Sequence, residues 1–88
     1  MSELSYTKDL KFMKYLHDLD IKGRNNEIKE WKIKRMLAKI SQVNVARAMN
    51  RKPPHICLME NGGSVSVLII FEYIETIKKL IEEKKDNG

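Results

Sequence analysis

The run Ser41-Gln42-Val43-Asn44-Val45-Ala46-Arg47-Ala48-Met49-Asn50-Arg51-Lys52-Pro53-Pro54-His55-Ile56-Cys57-Leu58-Met59-Glu60-Asn61-Gly62 decides how the chain is read. Ser41 is a good N-cap, because its hydroxyl can accept from an amide that the first helical turn leaves unpaired. Val45, Ala46 and Met49 follow at the spacing of one helical face. Asn50 tolerates the left-handed conformation that ends a helix. Pro53 suits the first turn of a new helix, where its missing N–H removes no bond. Ile56 and Met59, with Leu58 beside them, anchor that second helix until Asn61-Gly62-Gly63 stops it. The stretch predicts two short helices joined by a tight turn, the first over roughly 42–49.

Outward from this unit the pattern stays helical. Tyr6, Leu10 and Met13, with Phe12, Leu16 and Leu19, recur at three- and four-residue steps and predict a helix from Leu4 to Ile21. Lys8, Lys11, Lys14 and Asp18 lie mostly opposite that face. Gly23-Arg24-Asn25-Asn26 reads as a break, with Asn25 or Asn26 capping a helix of about 26–39. That helix carries Ile28, Trp31, Ile33, Met36 and Leu37, with Ile40 beyond. Val65 to Phe71 is β-branched and apolar, and alone could form a short strand. It continues into Tyr73, Ile74, Ile77, Leu80 and Ile81 at helical spacing, so a helix is expected, capped by Ser64 or Ser66 and running to about Lys85. The chain is expected to be all-α with about five helices: an accessory helix over 1–22, a domain over 23–85 containing the two-helix unit 41–62, and a tail at 86–88.

The 88 residues suffice for one modest core. Apolar residues are 42% and charged residues 33%, a balance that points to a folded chain and away from disorder. No apolar run approaches the roughly 20 residues of a membrane span. The N-terminus lacks a basic start followed by an apolar stretch, so no secretory signal is read there. A single cysteine, Cys57, allows no internal disulfide and fits a reducing compartment. The expected address is the cytoplasm. The net charge of +5 is unevenly placed. Residues 23–62 hold nine basic side chains against Glu27, Glu30 and Glu60, whereas the flanking segments are close to neutral. A polyanion would be drawn to the central segment, with counterion release supplying affinity.

Over residues 33–77 the chain resembles the Cro/CI-type helix-turn-helix family, also termed lambda-repressor-like or XRE-type. The resemblance rests on Arg35, the pair Ser41-Gln42, Val45-Ala46, Met49, Ile56 and Met59-Glu60-Asn61-Gly62, all at the family's spacing. It spans about half the chain. It implies a fold in which the second helix of the pair enters the DNA major groove. It implies that Gln42 contacts DNA backbone and nearby base edges, that Asn61 meets a phosphate, and that Arg35 and Glu60 form an internal ion pair. Ala46 is implied to be small so that the two helices can cross closely.

The groove-facing positions differ from the family's habit: Lys52, Pro53, Pro54, His55 and Leu58 should be displayed there. Of these, Lys52 and His55 can donate to a guanine edge, while Leu58 and the prolines can touch only thymine methyls. Base readout is therefore expected to be sparse, with Arg47, Arg51 and Lys52 on phosphates and DNA shape carrying more of the recognition. Ile69, Tyr73 and Leu80 widen the apolar arc of the last helix and need cover, either from the N-terminal helix of the same chain or from a second chain, with a dimer or other partner surface expected there.

The expected function is a homodimeric, sequence-specific transcriptional regulator of repressor type that binds double-stranded DNA. Alternatives are the antitoxin of a toxin–antitoxin module, gripping a small toxin with a flanking helix, or a protein-interaction module that has lost base readout. No enzyme activity, cofactor or metal is expected. His17, His55 and Cys57 share no ligand geometry, and Ser64 and Ser66 lack a positioned base.

Overall fold

A computed structural model describes residues 3–63 and 66–87, with side chains over 10–63 and 66–85. Five helices occur among the described residues: α1 (Glu3–Asp18), α2 (Ile21–Leu37), α3 (Gln42–Ala48), α4 (Pro53–Glu60) and α5 (Val67–Asn87). The expected all-α class is observed. The alternative strand is not formed over Val67 to Phe71, which open α5, whereas Val65 lies outside the described residues; Asp86 and Asn87 belong to that helix and not to a tail. Ser66 accepts from the Ile69 amide at 3.3 Å as the start of α5 requires. Ser64, and the side chains of Leu4, Tyr6 and Lys8, lie outside the described residues.

The joint between α1 and α2 falls earlier than the sequence suggests. Asp20 caps α2, its Oδ1 accepting from the Gly23 amide at 2.7 Å. Gly23 therefore sits inside the first turn of α2 and not at a break, and neither Asn25 nor Asn26 caps anything. Arg24 reaches back to the orphan carbonyls of α1, donating to Leu16 O at 3.1 Å and His17 O at 2.9 Å. These bonds tie the accessory helix to α2, and its Leu16 is fully buried in the common core.

Three of the next helix ends use one device. Lys39, Asn50 and Gly62 take φ values of 60°, 57° and 90°. In each case this positive-φ residue, which follows the C-cap, and the next residue donate to carbonyls near the helix end. The pairs are Lys39 N to Met36 O and Ile40 N to Arg35 O, Asn50 N to Arg47 O and Arg51 N to Ala46 O, and Gly62 N to Met59 O and Gly63 N to Leu58 O. This is the Schellman pattern, which satisfies orphan carbonyls while turning the chain sharply. At the first of these ends Lys84 of α5 adds a further bond, its Nζ donating to Ala38 O at 2.7 Å.

α5 packs against α1, α2 and α3. Its Ile70, Tyr73, Ile74 and Ile77 recur at three- and four-residue steps and are buried against Leu16, Ile28, Ile40, Val45, Ala46, Ile56 and Met59. Removing a side chain such as Ile74 down to Ala would cost about 2–5 kcal/mol through lost burial and the cavity left behind. α1 covers one flank of α5, with the Phe12 and Phe71 rings 6.1 Å apart. Ile33, Met36 and Leu37, grouped with the core apolars of α2 on sequence, are exposed instead. The inward face of α2 is set by Ile28, Trp31 and Arg35, and the 100° step per residue leaves those three outside it.

Candidate nucleic-acid interface

α3 and α4 pack closely on each other around Val45, Ala46, Ile56 and Met59, all buried. Ser41 caps α3 by accepting from the Asn44 amide at 3.1 Å, and Pro53 opens α4 with Lys52 as the residue before it. Beneath the pair lies a buried polar cluster centred on Glu60. Arg35 donates through Nε to Glu60 Oε2 at 2.8 Å and through a terminal nitrogen to Oε1 at 3.0 Å. Its remaining terminal nitrogen donates to Ile40 O at 2.7 Å. Gln42 Nε2 donates to Glu60 Oε1 at 2.8 Å, and the Tyr73 hydroxyl donates to Glu60 Oε2.

The electrostatics reflect that packing. Burial alone would raise the Glu60 carboxyl, but hydrogen bonds from Arg35, Tyr73 and Gln42 together outweigh it and hold the group below the ordinary carboxylate range. Burial acts against the Arg35 charge, and the Glu60 carboxylate more than compensates. The Tyr73 hydroxyl is pushed far above its usual range, first by burial and then by the neighbouring carboxylate. Tyr73 is accordingly a permanent donor.

The residues expected to meet DNA divide into three groups. Lys52, Pro53, Pro54 and His55 stand exposed at the start of α4, and Leu58 and Asn61 are exposed further along it. Asn61 Nδ2 donates to the Cys57 sulfur at 3.4 Å, and Cys57 is exposed. Gln42 is half-buried and already engaged with Glu60, which orients its amide. Arg51 differs from expectation: it is half-buried and pairs with Glu72 of α5 at 3.4 Å, so its guanidinium is drawn toward the scaffold. Arg47 is exposed but lines a hollow with Ile40, Asn44, Leu80 and Lys84, on the α5 side. Five residues separate it from Gln42, about 140° around the helix, so the two do not share a face.

Tyr73 corrects a further expectation. With none of its surface exposed it cannot form part of a partner surface. Its face on α5 turns inward because it stands between Ile70 and Ile77 at the spacing of the core stripe. Ile69 and Leu80 are half-buried. Sequence reasoning missed the role of Tyr73 in the polar cluster, although that same three- and four-residue spacing carried the signal. The clasp of Lys84 on Ala38 O had no signal of this kind.

Among the described residues, no helix is long and apolar enough to cross a membrane. Comparison of the chain with models of known families, with curated proteins and with solved structures finds no match.

Proposed function

We propose that the chain is a lambda-repressor-like helix-turn-helix regulator that binds an operator in double-stranded DNA as a homodimer. One observation carries this reading. Glu60, at the end of α4, is joined at once to Arg35 of α2 and to Gln42 at the start of α3. The family resemblance implies the Arg35–Glu60 pair and, separately, a DNA contact at Gln42, and the bond from Gln42 to Glu60 links the two. The exposed Lys52 and His55 at the first turn of α4 then supply donors for a groove edge or a phosphate. Repression by occupying the operator needs no further domain. Ile69 and Leu80, eleven residues apart and so on one side of α5, offer partly exposed apolar surface for a second copy.

Selection of binding sites from a random duplex pool tests the proposal. Enrichment of a palindromic consensus is the expected result, with half-sites about one DNA turn apart. Absence of enrichment at low salt overturns it. A second reading, a protein-interaction module without base readout, draws on the exposure of Pro53, Pro54 and Leu58 on the same helix. Loss of binding on replacing Lys52 and His55 favours the first reading, and unchanged cellular function favours the second.

A further inference from the structure

On the outward side of α2, Ile33 is 48% exposed, Met36 58% and Leu37 78%. Steps of three and four residues place them on one face, and Ile33 lies about 160° around the axis from the buried Arg35. Three large apolar side chains side by side in water form a patch and not scattered exposure. The patch has a predominantly basic rim. Lys29 stands one turn before Ile33, Lys32 one turn before Met36, and Lys39 just beyond Leu37, with Glu30 the single acid beside them. None of these three lysines makes an ion pair among the described residues.

We infer that this face is a docking surface for an acidic, amphipathic helical segment of a partner protein. Apolar residues on one side of that segment would cover Ile33, Met36 and Leu37, and carboxylates along its edges would meet Lys29, Lys32 and Lys39. Charge decides against a second copy of the chain, because a two-fold contact here would bring the lysine rims of both copies together. Length decides against a lipid surface: the apolar stripe occupies little more than one helical turn, whereas interfacial helices present a long apolar face. The surface uses neither Lys52 nor His55, so it does not depend on the DNA-binding reading.

The test uses the full chain and a fluorescent synthetic helix of about 18 residues, with leucines along one face and glutamates elsewhere. Anisotropy should show saturable binding, and the methyl resonances of Ile33, Met36 and Leu37 should shift. The same peptide with lysine for glutamate should bind at least ten-fold more weakly. The double variant I33S/L37S, with helical content verified by circular dichroism, should lose ten-fold or more. The charge reversal K29E/K32E should shift preference toward the lysine peptide. Equal binding of both peptides, or unchanged binding by I33S/L37S, overturns the inference. So does a dimer that dissociates in I33S/L37S, or binding to phosphatidylserine vesicles with none to the acidic peptide.

Discussion

Gln42 Nε2 donates to Glu60 Oε1 at 2.8 Å, so the first residue of α3 is held by the last residue of α4. The bond orients a side chain that the proposed function places against DNA, and it does so through a carboxylate that α2 and α5 also hold. Positioning at the surface and stability of the core therefore share one group.

Replacing that group should be severe. Glu60→Gln leaves Arg35 buried without a counter-charge, which costs about 3–5 kcal/mol. Tyr73→Phe removes one hydrogen bond to a charged acceptor and should cost about 1.5–3 kcal/mol. Urea denaturation of the single and double variants measures both. The double variant should lose less than the two costs together, because both substitutions act on the same bond: the amide introduced by Glu60→Gln still accepts from Tyr73, but without the charge.

The lowered Glu60 carboxyl makes a prediction about acid. A carboxyl held below its unfolded value stabilises the fold fully above that value, here the ordinary 4.5. The contribution is lost as pH falls through the lower value of the folded state. Urea midpoints should therefore decline below about pH 4.5 in the native chain. In Glu60→Gln the corresponding part of the decline should be absent. A curve of the same shape in both would remove Glu60 as its source.

Lys39 holds a positive φ without being glycine. The left-handed conformation costs an ordinary residue about 1–2 kcal/mol, and glycine loses about 0.4–1 kcal/mol of that advantage through its freer unfolded state. Lys39→Gly should therefore gain up to about 1.6 kcal/mol. The reverse change, Gly62→Val at φ 90°, should destabilise. Thermal melts of the two variants should move in opposite directions.

Arg51 and Lys52 are neighbours with different expected behaviour in DNA binding. Lys52 is exposed, while Arg51 is turned to Glu72. Under the proposed function, Lys52→Ala should reduce the slope of log affinity against log salt by about 0.9. Arg51→Ala should leave the slope unchanged and lower stability by no more than about 1 kcal/mol, as suits a partly exposed pair. Equal slope changes in the two would show that Arg51 leaves Glu72 to reach a phosphate.

The parts of this fold that were legible are those where residue type and backbone demand coincide. Ser41, Asn50, Pro53 and Gly62 announce the bounds of α3 and α4, whereas the pairing of Arg35 with Glu60 was implied only by the family resemblance. The α1–α2 joint was hidden because Gly23 resembles a helix stop, yet its amide is the one that Asp20 caps. Arg51 was misplaced because an arginine in a turn reads as free, and only tertiary packing brings Glu72 to it. The inward turn of Tyr73 was obscured by the nearly continuous apolar run around it, and its buried hydroxyl is tolerated because Glu60 accepts it.

The clasp of Lys84 on the Ala38 carbonyl, together with the α5 stripe from Ile70 to Ile77, bears on how the chain folds during synthesis. A ribosome that has released only α1 to α4 has released Leu16, Ile28, Ile56 and Met59 without the Ile70, Tyr73, Ile74 and Ile77 side chains that complete their core. The proposed DNA-reading unit is complete in sequence at that moment and unsupported in space. Co-translational folding of this region must wait for α5 to emerge, and the waiting interval is when chaperones have the most apolar surface to grasp.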